Sequence, residues 1–200
     1  DTGYGDATTR GLWEHHFARP CGPVTTLVAT HYHPDHLGNG AWLSARFGIP
    51  VTMTAAEYLT AHAVHGQVAG FGPADIANLF EAHGVSTEHL VALKGRGNHY
   101  RRGVPELPQR YHRVHPGDRI MLGVRPFEVI GGYGHSPEHA ALYDATARVL
   151  ISGDMLLPRI STNVSVWPAD PEGDPLGRFL GSLAAFETLP ADTLVLPSHG

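Results

Sequence analysis

The chain has 200 residues, 42% of them hydrophobic, which suits a single domain with a sizeable core and implies no second one. Its net charge of −5 argues against a nucleic-acid module, and no apolar run approaches the length of a membrane span, so the expected partner is a small molecule and no membrane. Cys21 stands alone, which rules out an intrachain disulfide; a reducing cytoplasm is the expected compartment and a structural role the expected one for Cys21. The sequence opens on Asp1 without an initiator Met and stops just after His199, so it reads as a trimmed segment from which a signal peptide could have been removed. Nothing in it sets an oligomeric state.

In chain order, residues 8 to 18 read as a helix and 25 to 30 as a buried strand. The strand runs into His31-Tyr32-His33-Pro34-Asp35-His36, three imidazoles and a carboxylate in six residues. Extended side chains alternate, so His31 and His33 project to one side and can reach one ion. Pro34 keeps His33 extended and turns the chain after it, sending Asp35 and His36 at another angle, toward a second ion. A helix over 41–47 and a strand over 51–54 follow.

Three helical stretches come next, broken at 66–73 and 84–86, with Ser86 as an N-cap. With the basic stretch after them they read as a helical and basic insertion at about 55–115. Residues 94 to 125 carry Lys94, Arg96, Arg101, Arg102, Arg110, Arg113, Arg119 and Arg125 against Glu106 and Asp118. Such a run is either a solvated face or an anion clamp. In the second reading Arg101 and Arg102, with Tyr100 and Tyr111 among them, hold a phosphate or carboxylate of the substrate.

Strands are then expected over 119–122, 125–130, 140–143 and 149–151, a helix over 176–189 and a last strand over 194–196. Three of these apolar runs end in glycine or serine just before a residue able to bind metal. Gly131-Gly132-Tyr133-Gly134 leads to His135, Ser152-Gly153 to Asp154, and Pro197-Ser198 to His199. Strand ends with permissive turns can hold nitrogen and oxygen donors rigidly from several directions. Glu138 and His139 follow His135 closely and are candidates for orienting a ligand imidazole. The Pro-rich loop 161–175, with Trp167, is a candidate lid.

The seven positions together resemble the metallo-β-lactamase superfamily, whose signature is H-x-H-x-D-H followed by a distant His, a later Asp and a final His. The resemblance runs from Asp1-Thr2-Gly3 to Ser198-His199-Gly200. It implies an α/β (α+β) fold, a four-layer αββα sandwich lacking its first strands here, with the site at one sheet edge. It further implies that His31, His33 and His135 hold one metal, that Asp35, His36 and His199 hold a second, that Asp154 bridges them, and that Asp1 supports the site from behind. Gly132-Tyr133-Gly134-His135 departs from the family's Thr-Pro-Gly-His, which bears on the substrate and not on the metals. Many true β-lactamases carry Cys or Ser where Asp154 stands. The segments around His135 and Asp154 are more similar to the glyoxalase-II-like (hydroxyacylglutathione-hydrolase-like) branch, which acts on thioesters, esters or phosphodiesters.

The expected mechanism is hydrolysis by two divalent ions sharing a bridging hydroxide, with Asp35 and Asp154 as the catalytic carboxylates and no protein nucleophile. Zn2+ suits the donors, and iron and manganese accept the same set. Two other activities would share every ligand: a nuclease or phosphodiesterase, which the basic stretch favours and the acidic overall charge opposes, and an iron-dependent oxygenase or redox protein. A metal-binding domain without catalysis would leave an open two-metal site with no structural purpose.

Overall fold

The strands sort into two sheets because the connections between them differ in length. The computed structural model describes residues 1–20, 22–95 and 97–200; Cys21 and Arg96 of the basic stretch lie outside the described residues. The first sheet has the order β1 (Leu27–Val28), β2 (Val51–Thr54), β3 (Tyr111–Val114), all parallel. Parallel neighbours need long crossovers. Helices α2 (Pro34–Leu37) and α3 (Gly40–Phe47) supply the first, and α4 (Ala55–Gly66), α5 (Pro73–Ala82), α6 (Thr87–Gly95) and α7 (His99–Gly103) the second. Helix α1 (Ala7–Phe17) precedes them, capped by Asp6, whose carboxylate accepts from the Thr9 N–H at 2.7 Å.

The second sheet has the order β4 (Arg119–Leu122), β5 (Arg125–Gly132), β6 (His139–Asp144), β7 (Val149–Gly153), β8 (Leu194–Pro197). Short turns make the first three pairings antiparallel, whereas α8 (Pro175–Glu187) carries the chain back so that β8 lies parallel to β7. Asp174 caps α8 through the Gly177 N–H and Pro175 occupies its first turn.

Between the sheets pack Val114, Phe127, Val129, Ala140 and Leu142; on the outer face of the second sheet Ala141, Tyr143 and Leu150 meet Phe186 of α8. Strand β6 is therefore buried on both faces, and its unbroken Ala-Ala-Leu-Tyr run reflects that. Against the first sheet, Leu37, Val51, Met53, Ala61 and Val104 form the third cluster. Each fully buried side chain of this kind contributes roughly 1.5–3 kcal/mol of transfer free energy. With α3 and α4 on one side and α8 on the other, this is the αββα sandwich. No described helix is long and apolar enough to cross a membrane.

Two expectations change. The strand expected over 25–30 shrinks to Leu27–Val28: Ala29 still donates to Thr52 O, but the Thr30 N–H turns to the Asp1 carboxylate and the chain leaves the ladder. The segment 55–115 is not wholly an insertion, because Tyr111–Val114 completes the first sheet as β3. Its Tyr-His-Arg-Val sequence hides this: β3 pairs with β2 alone, and His112 and Arg113 point to solvent.

Candidate metal centre

Strands β5, β7 and β8 run in the same direction within one sheet, so their C-terminal ends fall on one edge, and β1 of the facing sheet ends beside them. His135 follows β5, Asp154 follows β7, His199 follows β8 and the 31–36 segment follows β1. The topology thus collects seven donors separated by up to 168 positions in sequence. Two glycines allow it. At Gly134 (φ +91°) an added Cβ would lie 2.1 Å from the Pro175 carbonyl oxygen, and at Gly153 (φ +54°) 2.3 Å from His139 Nε2.

His31, His33, His135 and Asp154 form one group and Asp35, His36 and His199 another, each with its donor atoms within 4.8 Å of one another. In the first, His31 Nε2 lies 2.9 Å from His33 Nδ1 and 3.1 Å from His135 Nε2. In the second, Asp35 Oδ2 stands 3.3 Å from His36 Nε2 and 3.1 Å from His199 Nε2. Asp154 joins them: Oδ2 faces His135 Nε2 at 3.4 Å, while Oδ1 faces His36 Nε2 and His199 Nε2 at 3.4 and 3.5 Å. The side chains of Asp35 and His199 are 42% and 40% exposed, so the second group opens to solvent and the first is closed in.

The hydrogen bonds behind the imidazoles fix which nitrogen is free. His135 Nδ1–H donates to the Asn163 carbonyl at 2.7 Å, and His36 Nδ1–H to Asp1 Oδ2 at 3.0 Å. His31 Nδ1 lies 3.0 Å from Thr30 Oγ1, whose own proton goes to Asp1 at 3.2 Å, so the hydroxyl accepts from His31. In each case the far nitrogen turns a lone pair into the centre. Burial, with the neighbouring imidazoles adding to it, holds His31 well below its usual pKa and His33 down to about 3; burial also lowers His135. At neutral pH these rings are uncharged, the form that binds metal.

Lone pairs converging in a buried place repel unless a cation lies between them. Donors about 3.3 Å apart are what a tetrahedral ion with ~2.0–2.1 Å bonds to nitrogen requires, close to the separations here. His36 Nε2 and Asp154 Oδ1 are buried without a hydrogen-bond partner while facing each other. The residues fit metal on both counts, since an ion satisfies each such atom.

Sequence reading missed Glu57. Fully buried in the first turn of α4, its carboxylate accepts from the Tyr32 N–H (2.9 Å), the Ser136 hydroxyl (2.6 Å) and the Glu138 N–H (2.7 Å). It thereby ties the loop bearing His31 and His33 to the loop bearing His135. Burial pushes its carboxyl up to about 7 against the pull of those three hydrogen bonds. Its local sequence reads as an ordinary first-turn acid, so no motif points to it.

The other expected residues divide. Asp1 stands behind the centre, bonded to Thr30 and His36. His139 is fully buried, but Nε2 accepts from the Asp154 N–H at 3.2 Å; it supports the carboxylate ligand instead of bonding to an imidazole. Glu138 acts through its main chain, donating to Glu57 and accepting from the Thr54 hydroxyl at 2.9 Å. From loop 161–175, Thr162 donates to Asp154 O at 2.7 Å, and Trp167 lies across Tyr32 and Phe71. Tyr100 is buried, its hydroxyl donating to Tyr32 O. Tyr111 stacks on Tyr58, ring centres 4.0 Å apart, Arg101 Nε donates to His65 O, and Arg102 lies against His99; these three line neither cleft beside the centre.

The family model described as the metallo-beta-lactamase superfamily matches residues 1–199. A β-lactamase domain protein from Burkholderia ambifaria is 42% identical with a TM-score of 0.84, over the whole of this chain and 58% of that one. A metallo-β-lactamase family protein from Thermus thermophilus is 29% identical with a TM-score of 0.79, over the whole of this chain and 64% of its own. TTHA1623 in a di-iron-bound form is 25% identical with a TM-score of 0.63, over 98% and 79%. Among curated proteins, a hydroxyacylglutathione hydrolase of Haemophilus ducreyi is 26% identical over 88% of this chain and 51% of its own length. The chain thus spans between half and two thirds of several proteins it matches. A family match across nearly the whole length and a fold shared at 42% identity agree with the donor set: the chain belongs to the metallo-β-lactamase superfamily.

Proposed function

We propose that the protein is a dinuclear metallohydrolase that cleaves a thioester, ester or lactone. One observation carries the reading: Asp154 presents one oxygen to each donor group, which is the arrangement that lets two ions share a carboxylate. His31, His33 and His135 would hold one ion and Asp35, His36 and His199 the other. Bound there, the ions would supply Lewis-acid polarisation of the scissile carbonyl oxygen and a lowered pKa for the attacking water.

The chain's own residues prepare the centre for that chemistry. The Asp1–Thr30–His31 relay and the Asn163 carbonyl fix imidazole orientation, so the donors need no rearrangement on binding. His36 and His199 hold Asp35 ionised in spite of its partial burial. On the exposed side of the centre it is an acceptor that orients the attacking water. Zinc suits the His-rich group, and likeness to the H. ducreyi hydrolase supports a thioester. The lone cysteine supports a reducing cytoplasm as the compartment.

Likeness to the di-iron form of TTHA1623 favours a second reading, an iron protein of redox function. Both are tested by loading the protein separately with zinc and iron and assaying thioesters, lactones and phosphodiesters alongside oxygen consumption. Hydrolysis of a carbonyl substrate that disappears on chelation and returns with zinc is expected. Oxygen uptake by the iron form, with no hydrolysis by either, would replace the hydrolytic reading.

A further inference from the structure

Two clefts flank the metal centre on either side of Trp167, and they differ in chemistry. The one beside His135 measures about 200 Å³ and carries the Arg178–Asp170 ion pair, 3.8 Å apart. The one beside His33 and Pro34 measures about 290 Å³, and its walls are Val64 of α4, Phe71, Ile76 of α5, Leu93 of α6, Tyr100 of α7 and Trp167. Among the described residues no Asp, Glu, Lys or Arg lines it. Of its polar residues, Gln67 is exposed at the C-cap of α4, and Asn98 is spent at both ends, donating to His65 O at 3.0 Å and accepting from the Arg101 N–H at 3.0 Å. His99 is engaged with Arg102.

Apolar walls offer hydrophobic surface to whatever occupies the cleft. Here the surrounding packing holds it open: Tyr100 is fixed by its bond to Tyr32 O, and Trp167 stands against Phe71 and Tyr32, ring centres 5.8 and 6.5 Å away. His33 is part of its lining, so a chain lying in it reaches a member of the first donor group. We propose that this cleft is the substrate's apolar subsite, binding an uncharged alkyl or aryl chain attached to the scissile carbonyl. The substrate class is then an ester or thioester of an apolar acid, not an anion held by Arg101 and Arg102. Its polar leaving portion lies on the Ser136–Arg178 side. The identity of this ligand as substrate rests on the hydrolytic reading above; the subsite itself does not.

The test has two arms on zinc-loaded protein. In the first, kcat/KM is measured for one leaving group with acetyl to decanoyl esters. Each methylene buried adds about 0.8 kcal/mol, so the expected rise is roughly three- to fourfold per carbon until the cleft is full. Ile76→Trp, which fills the cleft, should cut the octanoyl-to-acetyl ratio at least about tenfold. In the second arm, binding of octanamide and acetamide, neutral and resistant to hydrolysis, is followed by Trp fluorescence and NMR. Octanamide should bind at least about a hundredfold more tightly, and Ile76→Trp should erase the preference. Ester hydrolysis with a flat chain-length profile, and equal amide binding, would overturn the subsite while leaving hydrolysis standing. No hydrolysis of any ester, with octanamide still preferred and the preference lost in Ile76→Trp, would keep the subsite and remove the hydrolytic reading. Equal affinities for the two amides would overturn the subsite whatever the kinetics.

Discussion

The donor-bearing strand ends and helices α5 and α6 of the crossover are built to different specifications. Around the donors nearly everything is buried and bonded: His31, His36 and His139 are at most 2% exposed, and Asp1, Thr30, Asn163 and Glu57 each hold a donor or its loop. Across the crossover, α5 and α6 bury one side chain each, Ala77 and Leu90, and pack mainly on one another. The first region fixes a geometry that a metal ion demands to within tenths of an ångström. The second presents a cleft wall whose residues can change without touching the donors. The donors and the α5–α6 wall of the proposed subsite therefore lie in separable parts of the chain.

If that division holds, disturbing the supports behind the donors should cost far more than disturbing the crossover's surface. Glu57→Ala strands two buried donors and one part-buried one, the buried ones at about 1–3 kcal/mol each, so a loss of about 3 kcal/mol in unfolding free energy is expected. Metal affinity should fall with it by roughly 10–100-fold, the scale for groups that orient a ligand. Denaturant melts and competition with a zinc indicator measure the two; a change under about 1 kcal/mol would show the loops to be held by other means. His139→Leu keeps the volume nearly constant and leaves the Asp154 N–H unpaired, while also removing the buried, unpartnered His139 Nδ1. A loss of about 1 kcal/mol, smaller than for Glu57→Ala, should be read from the same melts.

The pH dependence of metal-free protein probes the same region. His31, His33 and His139 have folded-state pKa values lowered by burial, so below about 6.5 the unfolded chain takes up protons that the native state refuses. Stability then falls as pH falls. Glu57, raised to about 7, works in the opposite direction between pH 7 and its usual value near 4.5. With His135 lowered in the same direction, the imidazoles outweigh Glu57, so a net loss of stability is expected as pH falls from about 6.5 to 4.5. Denaturant melts across that range check it, and a flat profile would mean the imidazoles are not buried neutral. The smallest effect is reserved for the crossover's surface. Arg101→Gln with Arg102→Gln should change KM for a charged ester less than about twofold, the scale of exposed charge pairs.

The centre was legible in the sequence because its signals are local. H-x-H-x-D-H sits in one segment, and each remaining donor follows a short apolar run and a turn, so residue type and spacing point to all seven positions that the fold collects. The helices from α3 to α6 were legible for the same reason, each being bounded by a glycine or proline. What escaped depends on partners far away in the chain. Glu57 reads as a first-turn acid until Tyr32 and Ser136 are brought beside it, 25 and 79 positions distant. His139 lies 15 positions from the amide it accepts from, across the β6–β7 pair. Strand β3 is polar because only one of its edges is paired, so its sequence carries no alternation to read. In the basic stretch, charges that are neighbours in sequence are spread over α7, β3, β4 and β5 in space.

The central claim is that two donor groups share Asp154, and counting ions tests it directly. Elemental analysis of the purified protein, reconstituted with excess zinc and freed of loosely bound metal, should give close to two ions per chain. Asp154→Ala, with its fold confirmed by circular dichroism, should retain one at most. One ion or fewer in the native chain, or two in the Asp154 variant, would contradict the shared-carboxylate centre.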